Sequence, residues 1–297
     1  MTCQEIYPAP DEEGMRLDKF LSEKLNFSRN RVQKFIKEGA VLVNGFKKNK
    51  KYSVSQGDKI LCDSLSRKEK TAVLDADICY IHKEDTFVVV DKPYGIVVHP
   101  APGLDEYTLY DILKEKYRYV QTVHRLDRNT SGVIIVAVDR KAARNLKSQF
   151  KQGKVKKTYL AIVGGRVKAD AGELDLPLKR SNKNPTKMEV SWVKSRSSVT
   201  RFRVVDRVSD FSLLELYPLS GRTHQIRVHL SYSGHPVLGD DKYGGGYAGY
   251  ACRHLLHAWR ISFFHPEKKG RVNYCSAPPP DFIKKIRKLG FENVDYI

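Results

Sequence analysis

Beyond residue 79 the chain is dominated by five short β-rich runs: FVVVDK (87–92), GVIIVAV (132–138), KTYLAIVGG (157–165), RFRVVDRV (201–208) and FSLLELYPL (211–219). Helical stretches such as DRKAARNLKSQFKQG (139–153) separate them. Runs connected so irregularly do not build a two-sheet sandwich, and none leads into a G-x-G-x-x-G loop or a P-loop. The pattern predicts a mixed α+β domain over residues 77–297. The stretch LKRSNKNPTKMEVSWVKSRSSVTRF (178–202) is basic and rich in turn formers, and reads as an exposed hairpin or long loop.

A different pattern precedes this domain. Leu17, Phe20, Leu21 and Leu25 fall on one helical stripe, Val32, Phe35 and Ile36 on another, and Ser28 is placed to cap the second helix. After Gly39 the period drops to two in AVLVNGF, with turns expected at Asn44-Gly45 and Gly57-Asp58. A helix-helix-hairpin module over 14–63 and a polar linker over 64–76 follow. From Arg16 to Lys51 eleven Lys or Arg face three Asp or Glu, too lopsided for an ordinary solvated face.

The whole chain carries a formal charge of +19, which favours a polyanion over a small neutral ligand. No apolar run approaches the ~18 residues of a membrane span, and MTCQEIYPAPDEEG lacks the regions of a signal peptide. A cytoplasmic, monomeric protein without membrane contact is expected. The five cysteines form no C-x-x-C pair, and the histidines lack the accompanying ligands of a metal site, so neither disulfides nor a metal is indicated.

Chemistry concentrates in HRLDRNTSG (124–132). Asp127, flanked by Arg125 and Arg128, fits an ionised carboxylate acting as nucleophile or base, and equally a structural ion pair. Arg222 of GRTHQIRVHL is the distant cation expected to pair with it. A serine hydrolase built from His124, Asp127 and Ser131 is excluded by the missing G-x-S-x-G elbow. A zinc deaminase is excluded by the missing H-x-E and P-C-x-x-C motifs, and a metal nuclease gathers more carboxylates than this loop offers.

HRLDRNTSG resembles the signature of the RluA-type ribosomal RNA pseudouridine synthases. DKPYGIVVHP, KKTYLAIVGG, GRTHQIRVHL with its GDDKYG tail, and HLLHAWRISFFHP resemble further segments of that family, in the same order, across residues 79–266. Likewise RLDKFL, SRNRVQKFIKEGAVLVNG and GDKI resemble the RNA-binding module shared by a small-subunit ribosomal protein and tyrosyl-tRNA synthetase. The resemblance implies a central antiparallel sheet flanked by helices, with an active-site cleft along its middle. It implies conversion of uridine to pseudouridine by base flipping, without cofactor or metal. Asp127 becomes the catalytic carboxylate and Arg222 its salt-bridge partner. Arg125 fills the space left by the flipped nucleotide, Tyr159 lies against the uracil, and Leu256 lines the opposite wall. In the module, Arg29, Arg31, Lys34 and Lys37 face RNA. The partner implied is structured RNA, large-subunit ribosomal RNA or a pre-ribosomal particle. Tyr94 and KSRSS (194–198) depart from the family pattern.

Overall fold

A computed structural model describes residues 4–25, 27, 29–62, 78–100, 107–292 and 294, leaving aside the side chains of Gln4, Asn30, Arg31, Lys34 and Glu38. The chain divides into two compact units, Met1–Asp77 with Val97–Val120, and Ile78–Ile96 with Gln121–Ile297. Ser28 and the linker 64–76 lie outside the described residues.

In the first unit, strand β1 (Gln4–Ile6) precedes helices α1 (Leu17–Lys24) and α2 (Arg29–Glu38) and strands β2 (Val41–Val43) and β3 (Ile60–Cys62). The two helical stripes close on one core, in which Leu17, Phe20, Leu21, Val32 and Ile36 meet Val41, Val43 and Ile60. Asn44 and Gly45 both have positive φ, 53° and 81°, as a tight type I′ turn requires. Residues ahead of the predicted module also contribute, because β1 pairs with β3 on the edge opposite β2. Asp18 is fully buried and accepts hydrogen bonds from Arg16, Arg29 and Gln33, tying α1 to α2. In the 97–120 segment of this unit, helix α3 (Leu109–Lys116) starts in a capping box between Thr108 and Asp111.

The second unit is built on a ten-stranded sheet. Its elements are β4 (Cys79–Lys83), β5 (Phe87–Lys92), β6 (Gln121–Thr122), β7 (Ser131–Ala137), α4 (Arg140–Lys151), β8 (Lys156–Gly164), β9 (Ala171–Asp175), the hairpin strands β10 (Leu178–Arg180) and β11 (Met188–Val190), β12 (Val199–Val208), β13 (Phe211–Pro218), α5 (Gln225–Tyr232), β14 (Leu256–Phe264), β15 (Arg271–Cys275) and α6 (Pro280–Leu289). The strand order is β4-β5-β7-β14-β8-β13-β12-β9, with β15 on β14 and β6 on β7. Among the described residues, all pairings in this sheet are antiparallel except one short parallel seam, where His257 and Ala258 of β14 lie beside Ser131 and Gly132 of β7. At this seam a Cβ on Gly132 would sit 2.2 Å from the Ala258 carbonyl oxygen, and Gly132 has φ +114°. Glycine is therefore required where the signature loop enters the sheet.

Every residue of β7 is buried, as a continuous apolar run in mid-sheet demands. Along β8 the period of two sorts the two faces. Leu160 and Ile162 pack with Trp259, Phe282 and Ile286 under α6, whereas Ala161 and Val163 pack with Ile226, Leu230 and Leu256 under α5. Tyr159 shares the α5 face. That alternation gathers Tyr159, Leu256 and α5 on one side of the sheet.

Candidate active site

The loop between β6 and β7, with the first residue of β7, is held by side chains at His124, Thr130 and Ser131 and by backbone carbonyls at Arg128 and Asn129. His124 Nε2 accepts the Ile135 N–H at 2.9 Å, and its ring stacks on Phe150 with centroids 4.8 Å apart. Burial pushes the His124 pKa down to about 3, so the ring is a neutral post. The Arg128 carbonyl accepts from Lys92 Nζ at 3.0 Å and from the Gly95 N–H at 2.9 Å. The Asn129 carbonyl accepts from Arg253 Nη1 at 3.0 Å. Thr130 and Ser131 hydroxyls hydrogen-bond His254 Nε2 and His257 Nδ1, at 2.8 and 3.0 Å. The His124, Thr130 and Ser131 letters of the HRLDRNTSG signature are thus accounted for by side-chain anchoring, Arg128 and Asn129 are held through their carbonyls, and Asp127 and Arg125 line the cleft.

Lys92 is fully buried and also donates to the Pro93 and Ile96 carbonyls at 2.7 and 2.9 Å. Burial lowers its pKa to about 7. Three carbonyl acceptors offset much of the desolvation that an isolated ammonium would suffer. Tyr94, a departure from the family pattern, lies against Arg253, whose guanidinium is 4.7 Å from the ring centroid.

The cation paired with Asp127 is Arg227, not Arg222. Arg227 Nη1 donates to Asp127 Oδ2 at 3.1 Å. Arg222 is exposed, lines the cleft mouth and donates through Nε to the Ser197 carbonyl at 3.2 Å. The reason is local. Gln225 Oε1 accepts the Arg222 N–H at 3.0 Å and the Ser220 hydroxyl at 2.8 Å, folding the G-R-T turn outward ahead of the helix. His224 caps α5 in the left-handed region at φ 54°, and only then does the helix turn Arg227 inward. Two arginines five residues apart look alike until the helix start is known.

Arg227 is itself gripped. Nε and Nη2 donate to the two oxygens of Asp240 at 2.6 and 2.7 Å, and Asp240 also accepts the Lys242 and Tyr243 N–H groups. Asp240 is fully buried, and Tyr243 places its ring 5.2 Å from the guanidinium. The Tyr243 hydroxyl accepts the Met188 N–H and lies 2.8 Å from His224 Nδ1. His224 Nε2 lies 3.9 Å from Asp127 Oδ2.

Burial pushes the Asp127 carboxyl up, and the His224 and Arg227 charges with the Arg227 hydrogen bond more than reverse this, holding it below the ordinary carboxylate value. Burial takes His224 down to about 4, so at neutral pH it carries no charge, and Arg227 is then the charged one of the two beside Asp127. Burial and the Asp127 charge raise the Tyr159 phenol, which stays protonated. Burial lowers Lys157 to about 8, and its Nζ donates to the Ser220 carbonyl at 2.9 Å.

These groups surround a cleft of about 370 Å³ lined by Asp127, Tyr159, Arg227, His224, Leu256 and Arg125, among others. Arg125 is exposed and donates to the Thr223 hydroxyl at 3.2 Å, at the side of that cleft. In the first unit, Arg29 is half exposed and salt-bridged to Asp18, and Lys37 is exposed. The side chains of Arg31 and Lys34 lie outside the described residues. Sequence reasoning missed Asp240, His224 and Tyr243; the signal available was the paired acids of GDDKYG, which need a cation if either is buried.

Residues 86–232 match the family model described as RNA pseudouridylate synthase, and residues 15–60 match the S4 domain. An uncharacterised RNA pseudouridine synthase of Bacillus subtilis is 35% identical over 96% of this chain and 97% of its own length. The ribosomal large subunit pseudouridine synthase C of Vibrio cholerae is 33% identical over 89% and 90%. The structure of human RNA pseudouridylate synthase domain containing 4 shares the fold, with a TM-score of 0.61 at 24% identity, covering 75% of this chain and 97% of the human one. A full-length match at this identity, joined to a carboxylate–arginine pair in a cleft on the central sheet, places the chain in the RNA pseudouridine synthase family, the isomerases that turn uridine into pseudouridine in RNA.

Proposed function

We propose that this enzyme modifies uridine in large-subunit ribosomal RNA, with Asp127 as its catalytic carboxylate and Arg227 as the group that keeps it ionised. The Asp127–Arg227 pair in the cleft carries this reading. Breaking the N1–C1′ bond, turning the uracil and joining C5 to C1′ can begin with attack on C1′, attack on C6, or removal of the 2′ hydrogen. Each route draws on an ionised carboxylate. The base must leave its stack, at about a few kcal/mol. Arg125 takes the vacated place in the helix, and Leu256 and the Tyr159 ring enclose the base.

Relatives such as the Vibrio cholerae enzyme, whose name assigns it to the large ribosomal subunit, support this target. Arg29, Arg31, Lys34 and Lys37 of the S4 module supply phosphate contacts. No helix among the described residues is long and apolar enough to cross a membrane. The enzyme works as a monomer, in the cytoplasm beside the pre-ribosomal particle.

Ribosomal RNA carrying tritium at C5 of uridine releases tritium to water when C5 joins C1′. Asp127→Asn is expected to abolish release while RNA affinity stays within roughly tenfold, about 1.4 kcal/mol. Tyr159→Phe keeps the ring and is expected to bind normally but release tritium more slowly. Turnover by the Asn variant, checked for deamidation, removes Asp127 from the mechanism, and release only from other RNAs removes the ribosomal assignment.

A further inference from the structure

Trp192 is 69% exposed and its neighbour Val193 68%, in a chain whose other tryptophan, Trp259, is 4% exposed. The exposure is built in. The Ser191 hydroxyl accepts the Val193 N–H at 3.2 Å and donates to the Val193 carbonyl at 3.1 Å, closing a turn with Trp192 at its tip. Lys194, in the left-handed region at φ 50°, continues the bend. The bend is fastened at its base, where Ser191 N–H donates to the Pro177 carbonyl and Leu178 and Arg196 exchange two backbone hydrogen bonds, all at 2.9 Å. Tyr232, the last residue of α5 and 58% exposed, meets the indole at 63° with centroids 6.3 Å apart. This contact braces the indole without covering it.

The surrounding chain says what covers it. Between residues 179 and 196 stand six cations, Lys179, Arg180, Lys183, Lys187, Lys194 and Arg196, against one acid, Glu189, which Lys179 engages at 3.4 Å. Protein–protein interfaces enrich aromatic residues but deplete lysine. An exposed indole set among lysines and arginines matches the pairing of base stacking with phosphate attraction that binds single-stranded RNA. Neither Trp192 nor Tyr232 lines the catalytic cleft.

We propose that Trp192, braced by Tyr232, is a stacking platform for an unpaired base of the substrate RNA, distinct from the cleft that receives the target uridine. The hairpin is tied to the active site, since Met188 N–H donates to Tyr243 and Lys187 Nζ to the Lys242 carbonyl, within the GDDKYG turn that also grips Arg227. A base held on the platform fixes where the RNA strand lies relative to that turn.

Both tryptophans emit, but Trp259 is buried beyond the reach of a base in solution, so quenching of the tryptophan emission by bound RNA reports on Trp192. Titration with single-stranded oligouridylate is expected to quench it saturably, and a blunt RNA duplex of equal length to quench it far less. Trp192→Phe should bind with little change but lose the quench. Trp192→Ala and Tyr232→Ala should weaken oligouridylate binding, the former on the order of 5- to 100-fold, and raise the KM for substrate RNA at unchanged kcat. Equal quenching by the duplex, a quench surviving in Trp192→Phe, or unaltered affinity in Trp192→Ala overturns the platform; the last would mark the patch as a protein-docking face. Tritium release by the unmodified enzyme is scored separately, so loss of the platform leaves the synthase reading standing.

Discussion

Asp240 holds the Arg227 guanidinium with both carboxylate oxygens, at 2.6 and 2.7 Å, and leaves Nη1 directed at Asp127, 3.1 Å away. The orientation of the Asp127–Arg227 pair therefore depends on a carboxylate that does not line the cleft.

Asp240→Asn keeps the size of the side chain, removes its charge and replaces one of the two accepting oxygens by a donor. By electrostatics alone the change would lower the Asp127 pKa further, since a neighbouring negative charge is lost. A positioning role predicts instead that kcat on the pH plateau falls about 10- to 100-fold, the acid limb does not move to higher pH, and RNA affinity holds. An unchanged plateau rate would show that Arg227 orients itself.

Arg227→Met is expected to reduce single-turnover tritium release by more than about 100-fold and to destabilise the fold by about 3–5 kcal/mol, because Asp240 is then buried beside no guanidinium. Arg222→Ala should cost less than about 0.5 kcal/mol of stability and affect KM more than kcat, as for an exposed residue at the cleft mouth. Urea denaturation with single-turnover assays of both variants tests this, and the reverse ranking would restore Arg222 as the partner.

Gly132→Ala forces a Cβ to 2.2 Å from the Ala258 carbonyl oxygen at φ +114°. The β7–β14 seam must open, with a loss of more than about 3 kcal/mol of unfolding free energy. A denaturation midpoint within error of the wild type would mean that the seam yields.

Four histidines are held neutral by burial, with pKa values lowered from 6.5 to about 3 for His124 and His254 and about 4 for His224 and His257. In the unfolded chain they take up protons near 6.5. Their contribution is thus complete above pH 6.5 and lost as pH falls toward 4, by up to about 1.4 kcal/mol per pH unit for each. The depressed carboxyls of Asp127 and Asp240 act in the same direction at lower pH still. Thermal unfolding from pH 7.5 to 4.5 should show the melting temperature dropping below pH 6.5, with net proton uptake on unfolding. A flat profile would mean these rings protonate in place.

Periodicity makes the main elements legible in the sequence: the stripes of α1 and α2, the Asn44-Gly45 turn and the runs of β5, β7, β8, β12 and β13 all appear in the structure. Local signals of that kind survive because packing agrees with them. The choice between Arg222 and Arg227 was not legible, since it turns on where α5 begins, and that is set by Gln225 reaching back to Arg222 and by the strained His224 cap. Asp240 was missed because its significance lies in a contact across thirteen residues, with no periodic trace. The short β1 was missed because three residues carry no pattern of their own.

The seam between β7 and β14 also sets a schedule for synthesis. Among the described residues, β7 and β8 meet only through β14, so the half-sheet that follows Asp127 and the one that carries Tyr159 have no common strand until residues 256–264 exist. Asp127, Tyr159 and Arg227 all leave the ribosome earlier. At translation rates of roughly 5–20 residues per second, the 37 residues from Arg227 to Phe264 take about two to seven seconds. Throughout that interval the nascent chain already carries its cationic S4 module but no assembled site, so it can engage RNA before it can alter it.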